Sequence, residues 1–358
     1  MGGNALKAYG ARRVTAAEAK KVAVEVCQVV DAIFLERGFD RKSHMIQAYR
    51  QKADYGDLDI VVLEEAVRSI GILEFLELVE QRLGKTMPNV HDHPNASHVS
   101  AGYPLGDGTC LQIDFMFANA AEYDFACQYY AWNDLGNLMT VLAKKMDKLK
   151  FGHSGLTSVF KEGGHLLGTV YLTQDFEKAV RFLGYDYDRY AQGFDTLEEI
   201  YEFAANNPRF NSDIYLLENR NHEARMRDKK RSTYGGFLKW MAEQPLPKYE
   251  WPENGQWVEK ALHAFPEAVT QMTHMSEVER KRKTVKSIYN GSLVSKVTGL
   301  QHTALGPFME AFKKHCGEAG FDDFILATDK DDLAKKMLDF QKAYVPKPAI
   351  KPEAELTL

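Results

Sequence analysis

The sequence is poor in cysteine: Cys27, Cys110, Cys127 and Cys316 stand far apart, with no Cys-x-x-Cys pair. That spacing argues against redox dithiols and thiolate zinc fingers, and free thiols in a reducing compartment are the expectation. Long apolar runs are missing too. No stretch approaches the ~18 residues that a bilayer crossing needs, and the opening MGGNALKAYGARRVT lacks the apolar core of a signal peptide. A cytoplasmic protein with no membrane partner is therefore expected. Positive charge is not in excess either: 45 Lys and Arg face 50 Asp and Glu, a formal net charge of −5. With no global field to draw it to nucleic acid, a polyanionic partner has to be met by local clusters. A P-loop is absent as well. Gly84-Lys85-Thr86 imitates the end of one, but the first required glycine would stand where Val79 is, and the segment follows a helical pattern.

What is present is a chain of 358 residues, 45% hydrophobic and 27% charged, long enough for two domains with a sizeable core. Thr15 is placed to cap a helix running to about residue 34. Residues 43–49 read as a short strand, then a charged turn, then a strand over 57–63 rich in β-branched residues. A helix over 63–83 ends at Gly84. Two strands, 97–103 and 110–117, flank the turn LGDGT. Residues 120–150 read as helix in two pieces, broken near 133–136, and strands are expected at 156–160 and 166–172. Beyond Thr173 helical patterns dominate, at 174–184, 196–206, 216–243, 256–264, 276–288 and 305–318. A Pro-rich spacer at 245–252 and a tail with Pro346, Pro348 and Pro352 interrupt or end them. The expected architecture is an α/β (α+β) catalytic domain over 1–172 with a mixed or antiparallel sheet. A mostly helical domain over 173–343 and a flexible tail over 344–358 follow.

Asp57 and Asp59 are two apart on a predicted strand, so both project from one face while Leu58 points to the other. Asp114 lies in an apolar strand between Ile113 and Phe115, where an unpaired charge is expensive. If the two strands are neighbours, three carboxylates converge and repel, unless a cation neutralises them. Oxygen ligands suit hard divalent ions, magnesium above all, and two such ions would clamp the oxygens of an in-line phosphoryl displacement. Asp-x-Asp is a common pair, however, and Asp57 could do no more than end the turn after Gly56.

The segment QAYRQKADYGDLDIVV (47–62) resembles the signature of the DNA polymerase β superfamily of nucleotidyltransferases. Gly56, Asp57, Leu58, Asp59 and Ile60 match its Gly-Asp-apolar-Asp-apolar core, and Tyr49, Arg50 and Lys52 its basic turn. LQIDFMF matches the later element, which puts the third family carboxylate at Asp114. The likeness covers roughly 40–175 and is closest to the family-X polymerase palm. It implies two Mg2+ ions held by Asp57, Asp59 and Asp114, and a nucleoside triphosphate as substrate. The family's Gly-Ser, which grips the triphosphate, is replaced here by Gln47 and Ala48, so nucleotide binding would rest more on Arg50 and Lys52. A weaker likeness, to the Gly-punctuated tail of tRNA nucleotidyltransferases, lies at 289–315 around Gly299 and Gly306.

Two basic clusters could neutralise phosphates, with nearby aromatics to stack bases. One holds Arg220, Arg225, Arg227, Lys229, Lys230 and Arg231, followed by Tyr234, Phe237 and Trp240; the other holds Arg280, Lys281, Arg282, Lys283 and Lys286. Lys144, Lys145, Lys148 and Lys150 form a third group nearer the carboxylates. Each is equally readable as a solvated helix face. His91, His93 and His98 read as polar loop surface rather than a zinc site. The expected activity is transfer of a nucleoside monophosphate to a nucleic-acid 3′ end, RNA or DNA. Transfer to a protein or small-molecule hydroxyl, or nucleic-acid binding by an inactive palm, are the alternatives.

Overall fold

The computed structural model describes residues 5–90, 96–147 and 149–345. A short strand, β1 (Val14–Thr15), leads into α1 (Ala16–Glu36). Thr15 caps α1: its hydroxyl oxygen accepts from the Glu18 N–H, and the Glu18 carboxylate accepts from the Thr15 N–H. This satisfies two amides that the ladders leave over. β2 (His44–Met45) and β3 (Asp54–Tyr55) precede β4 (Asp57–Leu63). The single helix expected over 63–83 is two, α2 (Glu64–Ile70) and α3 (Ile72–Leu83). Gly71 separates them at φ 96°, a conformation that side chains with a Cβ rarely adopt. β5 (Asn89–Val90), β6 (His98–Pro104) and β7 (Cys110–Ala118) complete the main sheet. α4 (Tyr123–Tyr130) and α5 (Leu135–Ala143) are parted by Trp132 and Asn133, both left-handed. β8 (Lys150–Gly152), β9 (Gly155–Glu162) and β10 (His165–Thr173) form a separate three-stranded sheet.

The main sheet has the order β2-β4-β7-β6-β5, with β4 and β7 parallel and the other pairs antiparallel. Alternation gives it two unlike faces. Leu58, Ile60, Val62, Ile113 and Phe115 share one, and Phe115 meets Phe75 of α3 edge-on at 5.3 Å. Phe75 in turn packs on Phe34 of α1 at 5.7 Å. Each such fully buried side chain contributes roughly 1.5–3 kcal/mol. The other face carries Asp57, Asp59, Gln112 and Asp114.

The remainder is helical: α6 (Phe176–Phe182), α7 (Tyr187–Gln192), α8 (Leu197–Ala205), α9 (His222–Asp228), α10 (Ser232–Ala242) and α11 (Trp257–Ala264). The helix expected over 216–243 is thus divided: Asn221 starts α9 by accepting from the Ala224 N–H at 2.9 Å, and Arg231, extended at φ −92° and ψ 118°, parts α9 from α10. α12 (Glu267–Ile288), α13 (Gly291–Thr298), α14 (Leu305–His315), α15 (Phe321–Ala327) and α16 (Lys330–Ala343) end the described chain. Of the tail expected over 344–358, residues 346–358 lie outside the described residues. The described residues form two compact units, one within 1–160 and 169–269, the other within 161–168 and 270–345. The second has its own core around Phe308, Phe312, Phe321, Ile325 and Met337. Among the described residues no helix is long and apolar enough to cross a membrane.

Candidate active site

Register brings the carboxylates together. In the parallel β4–β7 pair, Asp59 stands opposite Asp114 and Asp57 opposite Gln112, all on the face turned from the core. One carboxylate oxygen from each of Asp57, Asp59 and Asp114 lies within 4.8 Å of the other two, and all three residues are half-buried. Ser100, opposite Asp114 on β6, donates its hydroxyl to Asp114 at 2.5 Å. The Gln112 amide donates to both Asp114 oxygens at 3.0 Å.

Their electrostatics follow from that crowding. Burial, then Asp57, then Asp114 push the Asp59 carboxyl up to about 7, against the pull of Lys52 and Arg231. Burial also raises Asp114, despite its two hydrogen-bond donors. Lys52 is pushed below its ordinary value by burial, although Asp57 and Asp59 hold it up. Three converging carboxylates, two of them strained by burial, are an all-oxygen donor set of the kind that hard divalent cations satisfy. The residues present therefore fit magnesium.

Asp57 and Asp59 line a cleft of about 1000 Å³. Its lining also includes five cations, Arg13, Lys52, Arg227, Lys230 and Arg231, and Tyr49, Tyr130 and Tyr201. Gln47 and Ala48 line it as well. Arg50 does not. Its guanidinium pairs with Asp195 at 2.6 Å and donates to the Gln192 carbonyl, while its N–H donates to the Phe194 carbonyl at 2.9 Å. The 47–52 turn is thereby strapped to residues 192–195. Gly193 is required in that strap, since a Cβ there would lie 2.7 Å from the Arg50 guanidinium and 2.5 Å from the Trp132 ring.

The first basic cluster is divided in use. Arg220 is nearly buried and pairs at 3.2 Å with fully buried Asp228. Arg227 bonds the same carboxylate at 3.0 Å and also Asn137, so it holds α9 against α5 while lining the cleft. Arg231 pairs with Asp134, another lining residue. Lys230 lines the cleft with no carboxylate in ion-pair range among the described residues. Arg225 and Lys144 are exposed, and Lys148 lies outside the described residues. In the second unit, Arg280, Arg282 and Lys283 are exposed on α12; Arg282 and Lys283 reach Glu279, at 3.6 and 3.8 Å. Gly299 ends α13 in the left-handed conformation, and Gly306 sits in the first turn of α14. His91 and His93 lie outside the described residues, and His98 is exposed at the start of β6.

Several residues at the site gave little notice in the sequence. Arg13 and Asp134 come from elements remote from both motifs. Gln112 and Ser100 were more accessible: Gln112 precedes Asp114 by two residues and so must share its face. No protein-family model matches the chain, and no curated protein matches it. Among solved structures, the chain is similar to the polymerase beta of Leishmania infantum in a ternary P/T complex. The identity is 15% and the TM-score 0.36, over 48% of this chain and 73% of that one. At that score no residue role is carried over from it.

Proposed function

We propose that this chain is a metal-dependent nucleotidyltransferase that moves an NMP from an NTP or dNTP to a nucleic-acid 3′ hydroxyl and releases pyrophosphate. The observation that carries the reading is the β4–β7 register, which gathers three carboxylates beside a cleft lined with cations. An acid pole and a basic wall in one cleft suit a polyanion that arrives with divalent cations. Asp57 and Asp59 would hold both Mg2+ ions and Asp114 one of them. Bound there, the two ions would neutralise developing charge and align the attacking and leaving oxygens.

The protein's own groups divide the remaining work. Lys52, Lys230 and Arg231 bind triphosphate oxygens, and Gln47 and Ala48 shape the wall where the resemblance implied a serine. The acceptor oxygen bonds to the α-phosphorus as the α–β bridging P–O bond breaks, and the electron pair leaves with pyrophosphate. Asp114, beside the acceptor in this reading, takes up the hydroxyl proton. Residues 173–343 serve acceptor binding in this reading, with Lys144, Arg225, Arg280, Arg282 and Lys283 as exposed phosphate contacts.

The test is incubation with magnesium, labelled nucleoside triphosphates and separate pools of RNA, primed DNA and protein. Label is expected on a nucleic-acid pool, and it should vanish with Asp59→Asn. Label on protein alone would overturn the acceptor assignment. Absence of pyrophosphate release in every pool would overturn the reaction itself.

A further inference from the structure

The carboxylate face of the sheet has a fourth corner. The β4–β7 register sets Gln112 beside Asp57 just as it sets Asp114 beside Asp59. A carboxylate at that corner would add a fourth like charge; the chain has a neutral amide, only 4% exposed. Its NH2 group donates to both oxygens of Asp114. Its carbonyl oxygen is engaged elsewhere, accepting the backbone N–H of buried Leu6 at 3.3 Å, 106 residues away in sequence.

That second bond decides which way the amide faces. A carboxamide can turn about its last torsion and exchange oxygen for nitrogen. With Leu6 donating, the turned form would oppose N–H to N–H at one end and oxygen to the Asp114 carboxylate at the other. Leu6 is itself fixed, because its carbonyl accepts from the N–H groups of Tyr9 and Ala11 at 2.9 and 3.2 Å. Gly10 and Arg12 then bond the backbone of Cys110, so the N-terminal segment extends the ladder along the start of β7.

We infer that Gln112 is a positioning residue for Asp114, and that residues 6–12 fix its orientation, so that the N-terminal segment tunes the cation affinity of the site. The inference rests on the metal-site reading above. Ligating carboxylates depend on such outer partners, whose loss typically costs about 10–100-fold in metal affinity.

The experiment is titration of the full chain with Mn2+, free ion being followed by electron paramagnetic resonance, with melting curves taken in parallel. Asp114→Asn is the reference for losing the ligand. Gln112→Met, which keeps the volume and removes the donor, is expected to weaken binding about tenfold. Leu6→Pro, which lacks the N–H, should bind more weakly than Leu6→Ala, which keeps it; this pair tests the relay with Gln112 intact. Wild-type affinity in a normally melting Gln112→Met, with Asp114→Asn weakened, overturns the positioning role. Equal affinity in the two Leu6 variants overturns the part played by the N-terminal segment. Wild-type affinity in Asp114→Asn overturns the metal-site reading itself, a result distinct from the other two.

Discussion

The two faces of one sheet obey opposite rules. On the side of α1 and α3, Ile60, Ile113 and Phe115 gain from leaving water. On the other side the same burial lifts Asp59 to about 7 and raises Asp114, so it penalises the groups placed there. In β4 the alternation gives Leu58, Ile60 and Val62 to the core face, and sets Asp57 and Asp59 on the other. Each face should accordingly fail in its own way.

The sharpest separation is between neighbours in space. Asp59→Asn should lower transfer by at least about a thousandfold, yet raise or preserve the melting temperature without metal, because it removes a repelled charge. Single-turnover assays with parallel calorimetry check both halves; a destabilised Asp59→Asn would break the comparison. Phe115→Ala should do the reverse, costing about 3–5 kcal/mol of stability while the folded fraction still binds Mn2+ normally. Denaturant melts and metal titration decide it.

The next effect is in pH. The Asp59 carboxyl titrates near 7 in the folded chain and near 3.8 unfolded, so the folded state holds its proton more tightly. The resulting stability is fully present below about pH 4 and is lost as pH rises through about 7, on the order of 4 kcal/mol in EDTA. Magnesium should restore stability at the alkaline end, and Asp59→Asn should flatten the profile. A metal-free chain that grows more stable from pH 5 to 8 would contradict this. Smallest is Lys52→Ala, expected to raise the KM for the triphosphate about tenfold, or about 1.4 kcal/mol, with the melt little changed. Steady-state kinetics with the variant check it.

The carboxylate face was legible because period 2 is a local property: Asp57 and Asp59 declare it within three residues, and Asp114 is conspicuous among apolar neighbours. The strands themselves followed from β-branched and turn residues. What the sequence could not reveal was pairing across distance. That β4 lies parallel on β7 with Asp59 opposite Asp114 depends on a crossover and on helices packing the far face. Arg50 shows the same limit. It belongs to a basic turn that reads as phosphate-binding, but Asp195 holds it, and nothing near residue 50 announces that partner. Asp228 likewise turns part of a basic run inward. Gly71 could have been read as a break, but its apolar neighbours keep helical spacing on both sides and mask it.

The bond between Leu6 and Gln112 also orders events in time. Leu6 is synthesised before its partner, which emerges 106 residues later. Until β7 has been synthesised and laid between β4 and β6, neither the third carboxylate nor the amide that steadies it has a place to be. Contacts of such long sequence separation form slowly, because the loop must close before they repay it. The three-carboxylate cluster is therefore a late product of folding, and its appearance during refolding would date the completion of the sheet.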